Sequence, residues 1–155
     1  MRRADRVRDM DIPLRLLVAA GLAVDAVVHW RFAPDMKFVE GGSIGGDVLF
    51  RVQAVAAALA AVLVLVRSRR WTYAVAFLVA GSAVGALLLY YTVDVGALGP
   101  LPNMYEPVWY GEKTASLVGE GIATLAALVG FFTVGRSPQG RGGRPEPVAE
   151  DGRGI

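Results

Sequence analysis

Apolar positions fall into four long blocks, at about 12–32, 48–66, 71–93 and 114–134, with short polar stretches between them. Each block is close to 20 residues, long enough as a helix to cross about 30 Å of hydrocarbon, whereas 10 to 14 residues would suit a buried soluble helix. The pattern predicts an all-α integral membrane four-helix bundle. The polar break between spans two and three is only Arg67, Ser68, Arg69 and Arg70. So short a turn makes those two spans an antiparallel hairpin.

The boundaries come from local signals. A polar N-terminal segment, 1–11, carries Arg2, Arg3, Arg6 and Arg8. A basic start before an apolar stretch resembles a secretory leader, but Val27, Val28, His29, Trp30 and Arg31 stand where a small-residue cleavage site would be, which predicts a retained helix. Ala33 before Pro34 resists helical geometry and ends span one. Gly41, Gly42, Gly45 and Gly46 loosen the loop that follows, and Asp47 is placed to cap span two. Gly81 and Gly85 in span three, and Ala115, Gly119 and Ala123 in span four, are small-residue stripes of the kind that let helix backbones approach closely in lipid. The tail, 135–155, is rich in Gly, Pro, Arg and acidic residues and is expected to be disordered and cytoplasmic. The membrane domain is thus 12–134.

Composition sharpens this picture. With 54% hydrophobic residues and a mean hydropathy of +0.45, the 155-residue chain is more apolar than a soluble domain of its length needs to be. The absence of cysteine excludes disulfides, thiolate metal sites and thiol–disulfide exchange. A net charge of +2, with the basic residues gathered at span ends, argues against a nucleic-acid partner. Those basic residues also predict orientation. Arginines crowd the N-terminus, the 67–70 turn and the tail, whereas the other two loops offer only Arg31, Lys37 and Lys113 against six carboxylates, Asp35, Glu40, Asp47, Asp94, Glu106 and Glu112. The positive-inside bias therefore puts both termini in the cytoplasm of a bacterial plasma-membrane protein.

With that orientation, ionisable residues inside the spans can be placed by depth. Asp25 and Glu120 lie roughly 10 Å below the outer surface, His29 one turn above Asp25, and Arg51 and Gln53 near the outer end of span two, while the inner half reads as nearly all aliphatic. Charges at such depth cost several kcal/mol unless paired or hydrated, which predicts an outward-facing polar pocket where Arg51 neutralises Asp25 or Glu120. The connection 94–113 would cover it. Its prolines, Pro100, Pro102 and Pro107, give it a defined shape, and Tyr91, Asp94, Tyr105, Glu106, Trp109 and Tyr110 supply binding groups. Two structural readings stand beside this one. Buried ion pairs also fix helix register, and His29, Tyr105, Trp109 and Tyr110 also suit an aromatic interfacial belt, His29 more readily than catalysis.

Sharper motifs are absent. One histidine cannot make a bis-histidine haem site. His29, Asp25, Glu106 and Glu120 are oxygen-rich as metal ligands but follow no metal motif, so neither a metal nor another cofactor is expected. The glycines at 41–46 lack the Lys-Ser/Thr ending of a phosphate loop, and Ser43, Thr114 and Ser116 have no base partner at readable spacing.

Arg15 at the entry to span one, His29 near its outer end before Pro34, an Ala-rich span two and an aromatic outer segment before span four resemble the small four-span membrane proteins of the DoxX-like kind. The segment from Asp94 to Tyr110 is similar to one found in small membrane proteins of high-GC Gram-positive bacteria. The resemblance implies a membrane subunit or partner of quinone-linked or other redox enzymes and assigns no catalytic residue. The function expected is therefore a non-enzymatic accessory or binding protein, engaging a lipid, quinone or protein partner through its outer face. The alternative is a membrane enzyme or proton-coupled carrier using Asp25 and Glu120 with His29 as relay. Expected partners are the lipid bilayer and a membrane protein or a second copy of the chain.

Overall fold

The computed structural model describes residues 2–39 and 41–134, with side chains from residue 11 onward; the expected tail and Glu40 lie outside the described residues. Four helices make up the fold: α1 (Arg2–Phe32), α2 (Gly46–Val66), α3 (Arg70–Thr92) and α4 (Gly111–Thr133), with a 3-10 turn at Asp35–Phe38. All four contain a segment long and apolar enough to cross a membrane, Asp11–Phe32 in α1 and the whole of the other three. The chain is an all-α four-helix bundle, its consecutive helices antiparallel. The short connection 67–69 sits at one end with the start of α1 and the end of α4, the turn end; the loops 33–45 and 93–110 share the other, the loop end.

The boundaries differ from the sequence reading in two places. Helix α1 begins at Arg2 and runs through Pro13, so the expected separate segment 1–11 is helical from its second residue. Pro13 lies inside α1, about three turns from its start, where it removes one donor from the intrahelical hydrogen-bond ladder. Asp47 does not cap α2: Gly45 holds the cap position without a side-chain hydrogen bond, and Asp47 sits in the first turn.

Helix α1 packs most extensively against α2 and α4, and α4 against α3, while α2 and α3 touch less. Val18, Leu22 and Asp25 on α1 are fully buried, and Gly119, Glu120, Ala123, Ala127 and Gly130 form the buried stripe of α4. Both follow the three-and-four spacing of a single helix face. The interior is built mainly of alanine, as expected where close packing holds helices together in lipid. The closest approach is between α1 and α4, where a methyl added at Gly21 would lie 2.3 Å from the Gly119 carbonyl oxygen. Of the stripe expected in α3, a methyl added at Gly81 would lie 3.6 Å from Thr124, and one at Gly85 would meet nothing within 4 Å among the described residues.

The loops are braced. Gly41 and Gly42 take positive φ (95° and 76°), and Ser43 and Ile44 donate backbone hydrogen bonds of 3.0 and 2.9 Å to the Pro100 carbonyl. These glycines therefore dock one loop on the other instead of loosening it; a methyl at Gly42 would meet the Pro100 oxygen at 2.5 Å. Asp94 accepts from the Gly96 amide and from Asn103 Nδ2, Glu106 donates its amide to the Tyr90 carbonyl, and Trp109 Nε1 donates to Thr114 Oγ1.

The turn end is not the aliphatic half that the sequence suggested. Asp11 Oδ1 accepts from Ser68 Oγ at 2.5 Å and Tyr73 Oη at 2.9 Å, and its Oδ2 lies 3.7 Å from Arg15 Nη1. Arg15 in turn donates to the Val64 and Leu65 carbonyls at the end of α2, where a helix leaves carbonyls without intrahelical donors. Tyr73 is fully buried, its ring filling the space over Gly130.

Candidate functional site

The contact of Gly21 with Gly119 places the residues one turn further on. Asp25 follows Gly21 by one turn of α1, His29 follows by two, and Glu120 adjoins Gly119, so bringing the two glycine backbones together brings these three side chains to one level. His29 Nδ1 lies 2.6 Å from Asp25 Oδ1 and 4.0 Å from Glu120 Oε1. The same nitrogen is 3.1 Å from the Asp25 backbone carbonyl, and the ring packs against Phe50 of α2, centroids 4.8 Å apart and planes tilted by 46°. Gln53, also on α2, donates from Nε2 to Asp25 Oδ2 at 2.8 Å and to the Val79 carbonyl of α3 at 3.3 Å. All four helices thus contribute to this cluster.

Asp25 and Glu120 are both fully buried, and neither Glu120 oxygen has a hydrogen-bond partner among the described residues. The sole basic side chain within 4.0 Å of either carboxylate, among the described residues, is His29. Arg51, expected to neutralise one of them, instead faces away: its guanidinium lies 3.6 Å from Asp47 on its own helix, and its side chain is 54% exposed. A short step along α2 decides this. Gln53 is two positions beyond Arg51, about 200° around the helix, so only one of them can face the bundle. A buried carboxylate without a partner costs several kcal/mol, which marks Glu120 as a residue not placed there for stability.

Above this cluster is a cavity of about 490 Å³, lined mostly by apolar side chains that include Val28, Phe32, Phe50, Val52, Ala83, Ala86 and Leu87. Its polar lining is His29, Gln53, Ser116 and Glu120 at the cluster, Ser82 on α3, and Asn103, Glu106, Glu112 and Lys113 from the loop and the start of α4. Tyr90, Tyr91, Tyr105 and Tyr110 complete the wall. Burial first, then the Glu106 and Glu112 carboxylates, pushes the Tyr110 phenol above its ordinary pKa, so it stays a neutral hydrogen-bonding group. Lys113 Nζ donates to the Glu106 and Val108 carbonyls and lies over the Tyr110 and Tyr91 rings, at 4.9 and 5.6 Å, so it serves the loop and not the buried carboxylates.

Of the residues picked out by sequence, Asp25, His29, Gln53 and Glu120 meet, and Tyr91, Tyr105, Glu106 and Tyr110 line the cavity over them. Asp94 braces the loop, and Trp109 sits edge-on to Tyr91 at 4.9 Å, behind the wall. His29, read as an interfacial anchor, points inward with 16% of its side chain exposed, while its neighbour Trp30 is 60% exposed. Sequence reasoning passed over Gly21 and Phe50, and weighed Ser116 only as a nucleophile. Gly21 and Ser116 each lie one turn before a buried carboxylate on the same helix face, a spacing that marks them; Phe50 carries no such signal. Comparison with known proteins finds no matching family model, curated protein or solved structure.

Proposed function

We propose that this chain is a multi-pass protein of a bacterial plasma membrane that holds a membrane-soluble amphiphile, a lipid or a quinone, in its loop-end cavity, with both termini cytoplasmic. One observation carries the reading: a cavity of about 490 Å³ with apolar walls has its polar groups concentrated at its floor and mouth. That volume is within the range of small-molecule sites, and such sites are largely apolar with a few polar groups that fix orientation. An apolar body fits the walls, and a carbonyl, hydroxyl or headgroup oxygen fits His29, Gln53 and Ser116. The resemblance to DoxX-like proteins supports a role as accessory subunit, in which the occupant or the loop surface engages a redox partner.

The test is extraction and mass-spectrometric identification of small molecules that stay with the purified chain, compared with Ala86→Phe, which narrows the cavity from the α3 wall. One amphiphile enriched over bulk membrane lipid, and depleted at least tenfold by Ala86→Phe, supports the reading. Bulk lipid composition in both proteins contradicts it. A proton-handling reading is favoured by the Asp25, His29 and Glu120 juxtaposition alone. It gains ground if the cavity holds no amphiphile and reconstituted vesicles show proton flux that Glu120→Gln abolishes.

A further inference from the structure

We propose that Asp25, His29 and Glu120 form a binding site for one divalent first-row transition-metal ion, Mn²⁺, Fe²⁺ or Zn²⁺, at the floor of the cavity. Each of the three residues presents a ligand atom, and these atoms all lie within 4.8 Å of one another. A triangle of that size puts a central ion within about 2.8 Å of every atom, and a small rotation of the side chains brings this to the 2.0–2.2 Å of nitrogen and oxygen ligation.

Three further features support a cation. Glu120 is completely buried, and both its oxygens lack a partner among the described residues although one of them is 4.0 Å from the imidazole. A protonated carboxyl would need an acceptor for its proton, whereas a metal ligand needs only free lone pairs. Charge also balances, because two carboxylates and a neutral imidazole around a divalent ion sum to zero, the condition that burial among apolar helices favours. Finally, Gln53 holds Asp25 Oδ2 at 2.8 Å and Phe50 packs against the imidazole at 4.8 Å, so groups that do not themselves ligate hold Asp25 and His29 with Oδ1 and Nδ1 side by side, 2.6 Å apart.

The donor set selects the metal class. One imidazole and two carboxylates without thiolate suit Mn²⁺, Fe²⁺ or Zn²⁺ better than Cu⁺, and the imidazole disfavours Mg²⁺ and Ca²⁺. Since His29 and Glu120 border the cavity, the remaining coordination positions face it and can take water or an oxygen of a bound molecule. The inference does not rest on the amphiphile reading, because the metal alone is the probe.

The experiment uses the full chain, purified in detergent with any affinity tag removed, stripped with EDTA and titrated separately with Mn²⁺ and Zn²⁺. Bound metal is counted by elemental analysis, and Mn²⁺ is followed by its paramagnetic resonance. One ion per chain is expected, together with a nitrogen coupling in the Mn²⁺ spectrum that His29→Ala removes. Glu120→Gln should weaken binding at least tenfold, and Asp94→Asn in the loop should leave it unchanged. Circular dichroism and thermal unfolding show that each variant is folded. Absence of saturable binding in the folded parent, or binding by Glu120→Gln equal to the parent's, overturns the proposal.

Discussion

Each end of the bundle holds a carboxylate cluster, and the two are built in opposite ways. At the turn end, Asp11 is met by Ser68, Tyr73 and Arg15, and Arg15 also satisfies two carbonyls of α2. At the loop end, Glu120 is more deeply buried and has no hydrogen-bond partner among the described residues. The first arrangement ties α1 to the turn and to α3. The second holds a group ready for something that is not a side chain, under a cavity large enough to admit it. Polar groups in a membrane bundle are thus of two kinds, and hydrogen-bond saturation separates them better than depth does.

Substitutions can break or sharpen this contrast. The largest effect is expected at Gly21→Leu. Its side chain would run into the Gly119 carbonyl, which as backbone cannot yield, so the α1 and α4 contact opens and stability falls by about 3 kcal/mol. Because that contact also aligns Asp25 with Glu120, metal and amphiphile retention should vanish with it. If retention survives in a folded Gly21→Leu protein, the glycines do not position the site. Next is Asp11→Ala, which leaves the buried Tyr73 hydroxyl and the half-buried Ser68 hydroxyl without their acceptor and should cost about 2 kcal/mol in denaturant unfolding. Gln53→Leu removes the donor to Asp25 Oδ2 and is expected to cost about 1.5 kcal/mol; a smaller loss would show that Asp25 is held by His29 alone. The smallest effect belongs to Arg51→Ala. Its pair with Asp47 is on the surface, and thermal unfolding should register less than about 0.5 kcal/mol.

The bundle itself was legible because lipid imposes a simple code, a run of about 20 apolar residues for each crossing. Depth was legible too, from the rise of a helix, and it brought Asp25 and Glu120 to one level with His29 one turn above them. What depth does not contain is azimuth. Arg51 and Gln53 share a depth on α2, and which of them faces inward depends on how α2 rotates against α1 and α3. The same gap hid the turn-end network, since Asp11 only closes the polar N-terminal segment, Arg15 only marks the entry to span one, and nothing in the sequence singles out Tyr73. Their convergence needs Ser68 in the turn and Gly130 on α4 to admit the Tyr73 ring. The metal-ligand geometry was invisible for a related reason, because its residues come from α1 and α4, 91 positions apart between His29 and Glu120 in the chain. No local spacing records that pair.

The most direct measurement is the unfolding stability of Glu120→Gln in metal-free detergent, run beside Asp11→Asn. If Glu120 is there for function, its replacement leaves stability within about 0.5 kcal/mol of the parent or raises it, while Asp11→Asn loses about 2 kcal/mol. A loss at Glu120→Gln as large as that at Asp11→Asn would contradict the account, since it would make both clusters structural.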